Sequence, residues 1–391
     1  MGTILSEIVI TGMGITTALG RGVAANRAAL LEERSGIGQL ELFPTKYAGV
    51  LPCAEIKEPT AALAERLNAR ERGVTRTSLL ALDAFEEACA DAGIDRFKNV
   101  SLVCGTTVGG MCLTDELYED ANMRTKDSAY LTSYDCGSVA LYLQERFGLG
   151  GVINSLNTAC SSSANALAFG ARLLRQGRAK KVIAGGTDAL AKFTINGFNA
   201  LHILSPEPCT PFDGDRKGLN LGEGAAFLVL ERAEDAGDKK VYARLTGWGN
   251  SNDAFHPSSL SEEGDGPFLA MEAALQKAGL QPADISYINA HGTATENNDE
   301  VESRAMIRLF GQVPAFASTK AYTGHTLGAA GAVEAIYSVL SLLHGEAYPN
   351  LRFANGSLEP LTTLRTAPLE HVMSNSFGFG GNCSSLIFSK A

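Results

Sequence analysis

The chain has 391 residues, 45% of them hydrophobic and 19% charged, with a formal net charge of -10. That length and apolar content fit two domains or one large α/β body with a sizeable core, and exclude a mainly disordered chain. The acidic balance excludes general nucleic-acid binding, and an acidic protein partner would need a local basic patch.

In chain order, Met1-Gly-Thr-Ile-Leu-Ser-Glu7 has no basic region followed by an apolar core. No signal peptide is expected, and a reducing, cytoplasmic setting is. No apolar run is expected to span a membrane. Ile8-Val-Ile-Thr-Gly12-Met-Gly14 predicts a buried strand ending in a glycine turn, and it lacks the third glycine and distant acid of a dinucleotide site. Residues 60–76 are polar and carry Arg66, Arg70, Arg72 and Arg76, which reads either as a solvated helix face or as a docking patch for an acidic carrier. Over 77–92 the spacing of Leu79, Leu82, Phe85, Ala88 and Cys89 predicts an amphipathic helix. Residues 100–103 predict a short buried strand that runs into Gly105-Thr-Thr-Val-Gly-Gly-Met111, and no Gly-Lys-Ser/Thr follows to make a phosphate loop.

Val152, Ile153 and Leu156 predict a strand leading to Asn157-Thr-Ala-Cys160-Ser-Ser-Ser-Ala-Asn165. Ala164, Leu167, Ala171 and Leu174 then recur at helical spacing, so Cys160 sits near a helix N-terminus. There the unpaired N–H groups and the helix dipole favour a thiolate. Residues 181–186 repeat the strand and glycine turn, residues 209–216 make a turn-rich crossing, and residues 222–230 return to a buried strand. The stretch 231–240 is charged and linker-like.

Beyond it the same grammar restarts. Ile285-Ser-Tyr-Ile-Asn-Ala290 leads to His291-Gly-Thr-Ala-Thr295, as residues 100–103 lead to Gly105. Ala315-Phe-Ala-Ser-Thr-Lys320 leads to Gly324-His325 and a helical stripe of Ala329, Val333, Ile336, Leu340 and Leu343, which parallels the Cys160 unit. Met373-Ser-Asn-Ser-Phe377-Gly-Phe379-Gly-Gly381 parallels residues 183–186. Two similar βαβ-rich halves, 1–235 carrying the cysteine and 236–391 carrying the two histidines, are therefore expected to pack as one α/β body.

If the halves pack symmetrically, Cys160, His291 and His325 converge, each in a small-residue turn after a buried strand. A cysteine nucleophile with two imidazole donors and no obvious charged base for water suits acyl transfer onto sulfur, with stabilisation of a negative oxygen. Lys320 can tune that pocket, and the Phe377–Gly381 run allows close backbone approach and a second oxyanion N–H. The eight cysteines include no CxxC pair, so no metal or redox motif is expected.

Thr158-Ala-Cys160-Ser-Ser, His291-Gly-Thr-x-Thr295, Lys320-x-x-x-Gly-His325-x-x-Gly-Ala-Ala-Gly-Ala-x-Glu334 and Asn375-Ser-Phe-Gly-Phe-Gly-Gly381 resemble, in this order and from about Ile8 to Phe388, the β-ketoacyl-acyl-carrier-protein synthases of the elongating, Cys-His-His type. The resemblance implies a thiolase-like five-layer αβαβα fold, normally a dimer of identical or related subunits. It implies no cofactor and no metal, with substrates carried on the phosphopantetheine of an acyl carrier protein. Cys160 would receive the acyl chain, and His291 and His325 would bind the malonyl thioester oxygen. Asp299 and Glu302 would network with Lys320, and Glu334, with them, would support the residues that line the site. Thr293 and Thr295 would hold the pantetheine arm. The N–H groups of Cys160 and Phe379 would form the oxyanion hole, Phe379 would gate the cysteine, and Val108 and Phe377 would bound the substrate pocket.

Three departures from the family pattern bear on pathway, fatty acid against polyketide or polyene. Leu204-Ser-Pro-Glu-Pro-Cys209 is short and lacks a basic residue, Asn382-Cys383 replaces a common Thr-Asn, and Asn298-Asp299 is closer to modular polyketide ketosynthases. Two other readings compete with a condensing enzyme. One is a non-catalytic chain-length-factor subunit, which would lack the nucleophile. The other is a degradative thiolase, for which Cys383 would be the second catalytic cysteine.

Overall fold

The computed structural model describes residues 6–123, 128 and 130–391. The leader expectation falls mainly on residues 1–5, outside the described residues. Strand β1, Ile8–Thr17, is buried along its whole length, so it runs through both glycines instead of turning there. The reason is packing. A Cβ on Gly12 would lie 2.6 Å from Ala92 Cβ, and one on Gly14 would lie 2.1 Å from Ala84 O. Both contacts are with helix α1, Arg76–Asp91, and the Ala92 that caps it. Gly12-x-Gly14 is thus a helix-on-strand contact, and Asp91 and Glu87 accept the N–H groups of Met13 and Ile15 at 2.9 and 2.8 Å.

The first half adds β2 (Val100–Gly105), β3 (Ile153–Leu156), β4 (Lys181–Asp188) and β5 (Gly224–Arg232), in the spatial order β3-β2-β4-β5-β1. β3, β2 and β4 are parallel, and β5 runs antiparallel to β4 and β1. The second half has β6 (Ala243–Asn252), β7 (Tyr287–Asn289), β8 (Phe316–Ala317), β9 (His371–Phe377) and β10 (Asn382–Ser389), in the order β8-β7-β9-β10-β6. Its parallel and antiparallel pairings are the same. Third, second, fourth, fifth, first: each half repeats one topology, and the two join where Val9 and Ile10 pair with Arg244 and Ala243.

Alternation along the strands sorts the helices into layers. On β5, Phe227 and Val229 face a cluster with Leu79, Leu82 and Phe85 of α1, while Leu228 and Leu230 face Leu167 and Leu174 of α2, Ser162–Arg175. On the far side, Met271 and Leu275 of α4 (Asp265–Ala278) and Met306 of α5 (Glu296–Phe310) pack with Ile288, Met373 and Ile387. Between the sheets, α2 lies in one cluster with Val333, Ile336 and Leu340 of α6, Ala330–His344. (α3 is Lys192–Ala200, beside the site.) The result is five layers, αβαβα. Each buried Leu, Ile or Val there contributes about 1.5–3 kcal/mol of transfer free energy.

The central position of α6 also corrects one sequence expectation. The stretch Leu327–His344 is long and apolar enough to cross a membrane, and 89% of it is buried inside the protein. A helix between two sheets is covered all round, so it is apolar all round.

Candidate active site

Strand ends from both halves meet at a cavity of about 420 Å³ lined by Cys160, His291, His325, Thr293, Thr295, Phe377 and Phe379, among others. The ligating atoms of Cys160, His291 and His325 all lie within 4.8 Å of one another. Cys160 comes just before α2, whose N-cap is Ser161. Ala159 before it has φ +53°, a left-handed conformation that strains a residue with a Cβ and turns the cysteine out of the strand line. Gly378 explains how close the C-terminal turn comes. A Cβ there would stand 2.7 Å from Thr158 O and 3.2 Å from Cys160 N.

The expected resting thiolate is corrected by burial. Desolvation pushes the Cys160 thiol up to about 11. Lys320 and the backbone N–H groups of Phe379 and Cys160 oppose that rise without overcoming it. The helix N-terminus therefore receives a thiol, and negative charge there must be stabilised as it forms.

Both imidazoles are buried and held well below 6.5, first by desolvation and then by the charge of Lys320. They are neutral, so their tautomers decide what they can do. His325 Nδ1 accepts the Leu327 N–H at 3.1 Å. His291 Nδ1 faces Lys320 Nζ at 3.2 Å, and that ammonium has only protons to offer. Each ring thus keeps its proton on Nε2. His325 Nε2 is buried and has no hydrogen-bond partner among the described residues. The two rings meet edge to face, centroids 5.4 Å apart, and Phe377 packs edge-on against His291 at 5.7 Å.

Lys320 is 1% exposed. Its Nζ donates to His291 O at 2.6 Å and forms a very short contact with Glu334. Asp299 and Glu302 do not touch it. They organise the His291–Thr295 loop instead. Glu302 accepts the N–H groups of His291 and Gly292, each at 2.8 Å, and Asp299 accepts those of Thr293, Ala294 and Phe212. Burial raises both carboxyls, Glu302 to about 7, and Glu334 rises to about 7 for the same reason against the pull of Lys320. Thr293 and Thr295 share a hydroxyl contact of 2.8 Å at the cavity wall.

Other expectations are redistributed. Val108 is fully buried in an apolar cluster with Ile195, Leu221 and Leu327 and does not line the cavity, so any influence on pocket depth passes through that cluster. The four arginines do not form one patch. Arg76 is 8% exposed and its guanidinium is bonded to Glu223 and to the carbonyls of Ile56 and Glu58. Arg66 is engaged by Glu58 and Asp83. Arg70 is paired with Glu65 at the surface, and Arg72, like Arg66, is exposed. Cys383 is fully buried, contacts Gly381 O and is absent from the cavity lining, so it is not placed as a second catalytic cysteine.

Phe198 and Asp188, which the sequence did not single out, and Asn382, noted there only as a departure from the family pattern, carry site architecture. Phe198 of α3 stacks on Phe379 with centroids 5.8 Å apart and rings 17° from parallel. Asn382 Oδ1 accepts from Ser161 Oγ, Asn165 Nδ2 and Asn250 Nδ2, tying the glycine turn to the start of α2. Asp188 ends β4 beneath the site. A buried polar residue at a strand end was the available signal for Asp188, whereas Phe198 offered none.

The family profile described as Beta-ketoacyl synthase, N-terminal domain, matches residues 5–236, and that described as Beta-ketoacyl synthase, C-terminal domain, matches residues 242–354. A 3-oxoacyl-(acyl-carrier-protein) synthase 2 of Rhizobium meliloti is 36% identical over 98% of this chain and 98% of its own. A putative mitochondrial 3-oxoacyl-(acyl-carrier-protein) synthase of Schizosaccharomyces pombe is 34% identical over 99% of each chain. Among solved structures, a chain of the ketosynthase ApeO in complex with its chain length factor ApeC from Xenorhabdus doucetiae superposes with a TM-score of 0.84, at 32% identity over all of both chains. The ishigamide ketosynthase/chain length factor gives a TM-score of 0.91, at 27% identity over 99% of each. With its thiolase-like fold and full-length similarity, the chain belongs to the β-ketoacyl synthase family.

Proposed function

We propose that this β-ketoacyl synthase condenses an acyl thioester held on Cys160 with a malonyl group presented by an acyl carrier protein, lengthening the chain by two carbons. The observation that carries this is the pair of neutral imidazoles whose tautomers leave two Nε2–H donors beside one cysteine. In the first half-reaction Cys160 Sγ attacks the acyl carbonyl, the carrier sulfur leaves, and the cysteine's proton ends on the carrier thiol. In the second, the malonyl C–C bond breaks to release carbon dioxide, and the enolate oxygen takes hydrogen bonds from His291 and His325. The enolate carbon then attacks the acyl carbonyl. The N–H groups of Cys160 and Phe379 receive the oxyanion, and the C–S bond breaks to return Cys160, which regains a proton.

Thr293 and Thr295 are proposed to hold the pantetheine arm, and Phe379, stacked on Phe198, to control entry. A second, identical or related subunit is proposed to cover β3 and the Thr114–Met123 helix. This helix has no buried residue, and Tyr118, Met123 and the nearby Leu131 and Leu141 are exposed. The test is division of labour. Cys160→Ala should abolish chain extension yet release carbon dioxide from malonyl-carrier, while His325→Ala should cut that release by roughly two to three powers of ten. Wild-type protein that folds normally and yields neither product would favour the scaffold-subunit reading.

A further inference from the structure

Asp188 is fully buried and does not line the cavity. Its carboxylate accepts from Thr106 Oγ1 and Thr107 Oγ1, each at 2.6 Å, from Val108 N at 2.8 Å, Thr107 N at 3.0 Å and Gly328 N at 2.6 Å. Burial raises this carboxyl, these hydrogen bonds pull it back down toward the carboxylate, and among the described residues no cation pairs with it. A buried charge satisfied only by neutral donors is costly. Its charge also pushes the Cys160 thiol up, against ionisation of the nucleophile. A residue serving packing alone at this place would need no charge.

What the charge holds is a turn. Gly328 follows Leu327, whose N–H fixes His325 Nδ1 and whose φ of +52° is strained for a residue with a Cβ. A strained residue keeps its conformation only when its neighbours over-determine it. The contact to Gly328 N supplies that from one side, and it is tight: a Cβ on Gly328 would lie 2.8 Å from Asp188 Oδ2 and 3.0 Å from Thr107 N. The same carboxylate grips the loop after β2 in the other half of the molecule. We propose that Asp188 is the positioning residue for His325, holding the Leu327–Gly328 turn so that the ring keeps its proton on Nε2 toward the substrate. The proposal rests on the reading of His325 as a donor to the malonyl thioester oxygen.

The substitution Asp188→Asn keeps the shape but sets an amide NH₂ among N–H and O–H donors. Three readouts separate positioning from general damage: ring ¹⁵N spectra that report the His325 tautomer, carbon dioxide release from malonyl-carrier, and alkylation of Cys160 by iodoacetamide. Wild type should show His325 protonated on Nε2 alone. Asp188→Asn should show mixed tautomers and roughly ten- to a hundredfold slower decarboxylation. Alkylation should be equal or faster, because a negative charge beside the thiol is gone. A folded Asp188→Asn protein with the wild-type tautomer and rate would overturn the proposal, as would a parallel fall in decarboxylation and alkylation. If Asp188→Asn does not fold, Asp188→Glu, which moves the charge by one methylene, is read in the same way. An unaltered tautomer and rate there would also overturn it. A wild-type protein that releases no carbon dioxide would overturn the functional reading, while loss of the tautomer in the variant would still support the positioning role.

Discussion

Glu334→Gln is the sharpest single test of how the site is held. Lys320 and Glu334 are 1% and 2% exposed, so neither charge has water to fall back on. The Lys320 ammonium has three acceptors: Glu334 Oε1, His291 O at 2.6 Å and His291 Nδ1 at 3.2 Å. Glutamine keeps an oxygen near Nζ but removes the only formal countercharge among these. Breaking one side of a buried pair costs about 3–5 kcal/mol, and the retained carbonyl puts the expectation near the lower end, about 3 kcal/mol. Removing both charges in Lys320→Met/Glu334→Leu leaves no orphan, so the double variant should be milder than the sum of the single changes by at least ~2 kcal/mol. Urea denaturation of the four proteins measures this cycle. Decarboxylation should fall in each variant that loses Lys320 or its partner, because His291 loses its fixed tautomer. Lys320→Met should also slow Cys160 alkylation, since Lys320 pulls the thiol down. Additive destabilisation, or full decarboxylation in Glu334→Gln, would refute the argument that this pair orients His291.

The remaining predictions follow from the same geometry. Decarboxylation should stay level from pH 8 down past 6.5, because both imidazoles are already neutral; loss of rate with a midpoint near 6.5 would show an ordinary, exposed histidine. Because the folded-state value of His325 is depressed, its contribution to stability is present above 6.5 and is lost as pH falls, when the unfolded chain alone takes up that proton. The stability gap between wild type and His325→Gln should therefore shift toward the variant below pH 6.5 in chemical denaturation. Gly378→Ala should slow Cys160 alkylation at least about tenfold with little change in malonyl decarboxylation, since its Cβ would press on Thr158 O and Cys160 N, not on the histidines. Reversing Arg70 and Arg72 to Glu should weaken use of carrier-bound substrate but not of a small pantetheine thioester, with a defect that shrinks at high salt. Equal loss on both substrates would remove those arginines from the docking surface.

The repeated grammar of strand, small-residue turn and helix was readable because buried parallel strands carry continuous apolar runs and helices carry a stripe. That is enough to pair residues 100–103 with Ile288 and its neighbours, and the Cys160 unit with the His325 unit. Trio convergence followed from the repeat. What remained hidden depended on three-dimensional partners. Local spacing says that Cys160 is at a helix start, and only the enclosure of the site shows that desolvation outweighs the dipole. The arginines at 66 and 76 look like neighbours of 70 and 72 until Asp83 and Glu223, remote in sequence, claim them. Gly12 and Gly14 read as a turn because the helix that needs their missing side chains lies some seventy residues on. Asp188 and Phe198 act through contacts that no spacing in their own segment announces.

If Cys160 carries the growing chain, the mass of its peptide before and after each substrate is added reports it directly. Incubation with acyl-carrier should add one acyl group to the peptide containing Cys160. Malonyl-carrier should then remove that mass as an equal amount of chain-extended carrier product appears. Acyl mass on another cysteine, or on Cys160 but never discharged by malonyl-carrier, would contradict the account.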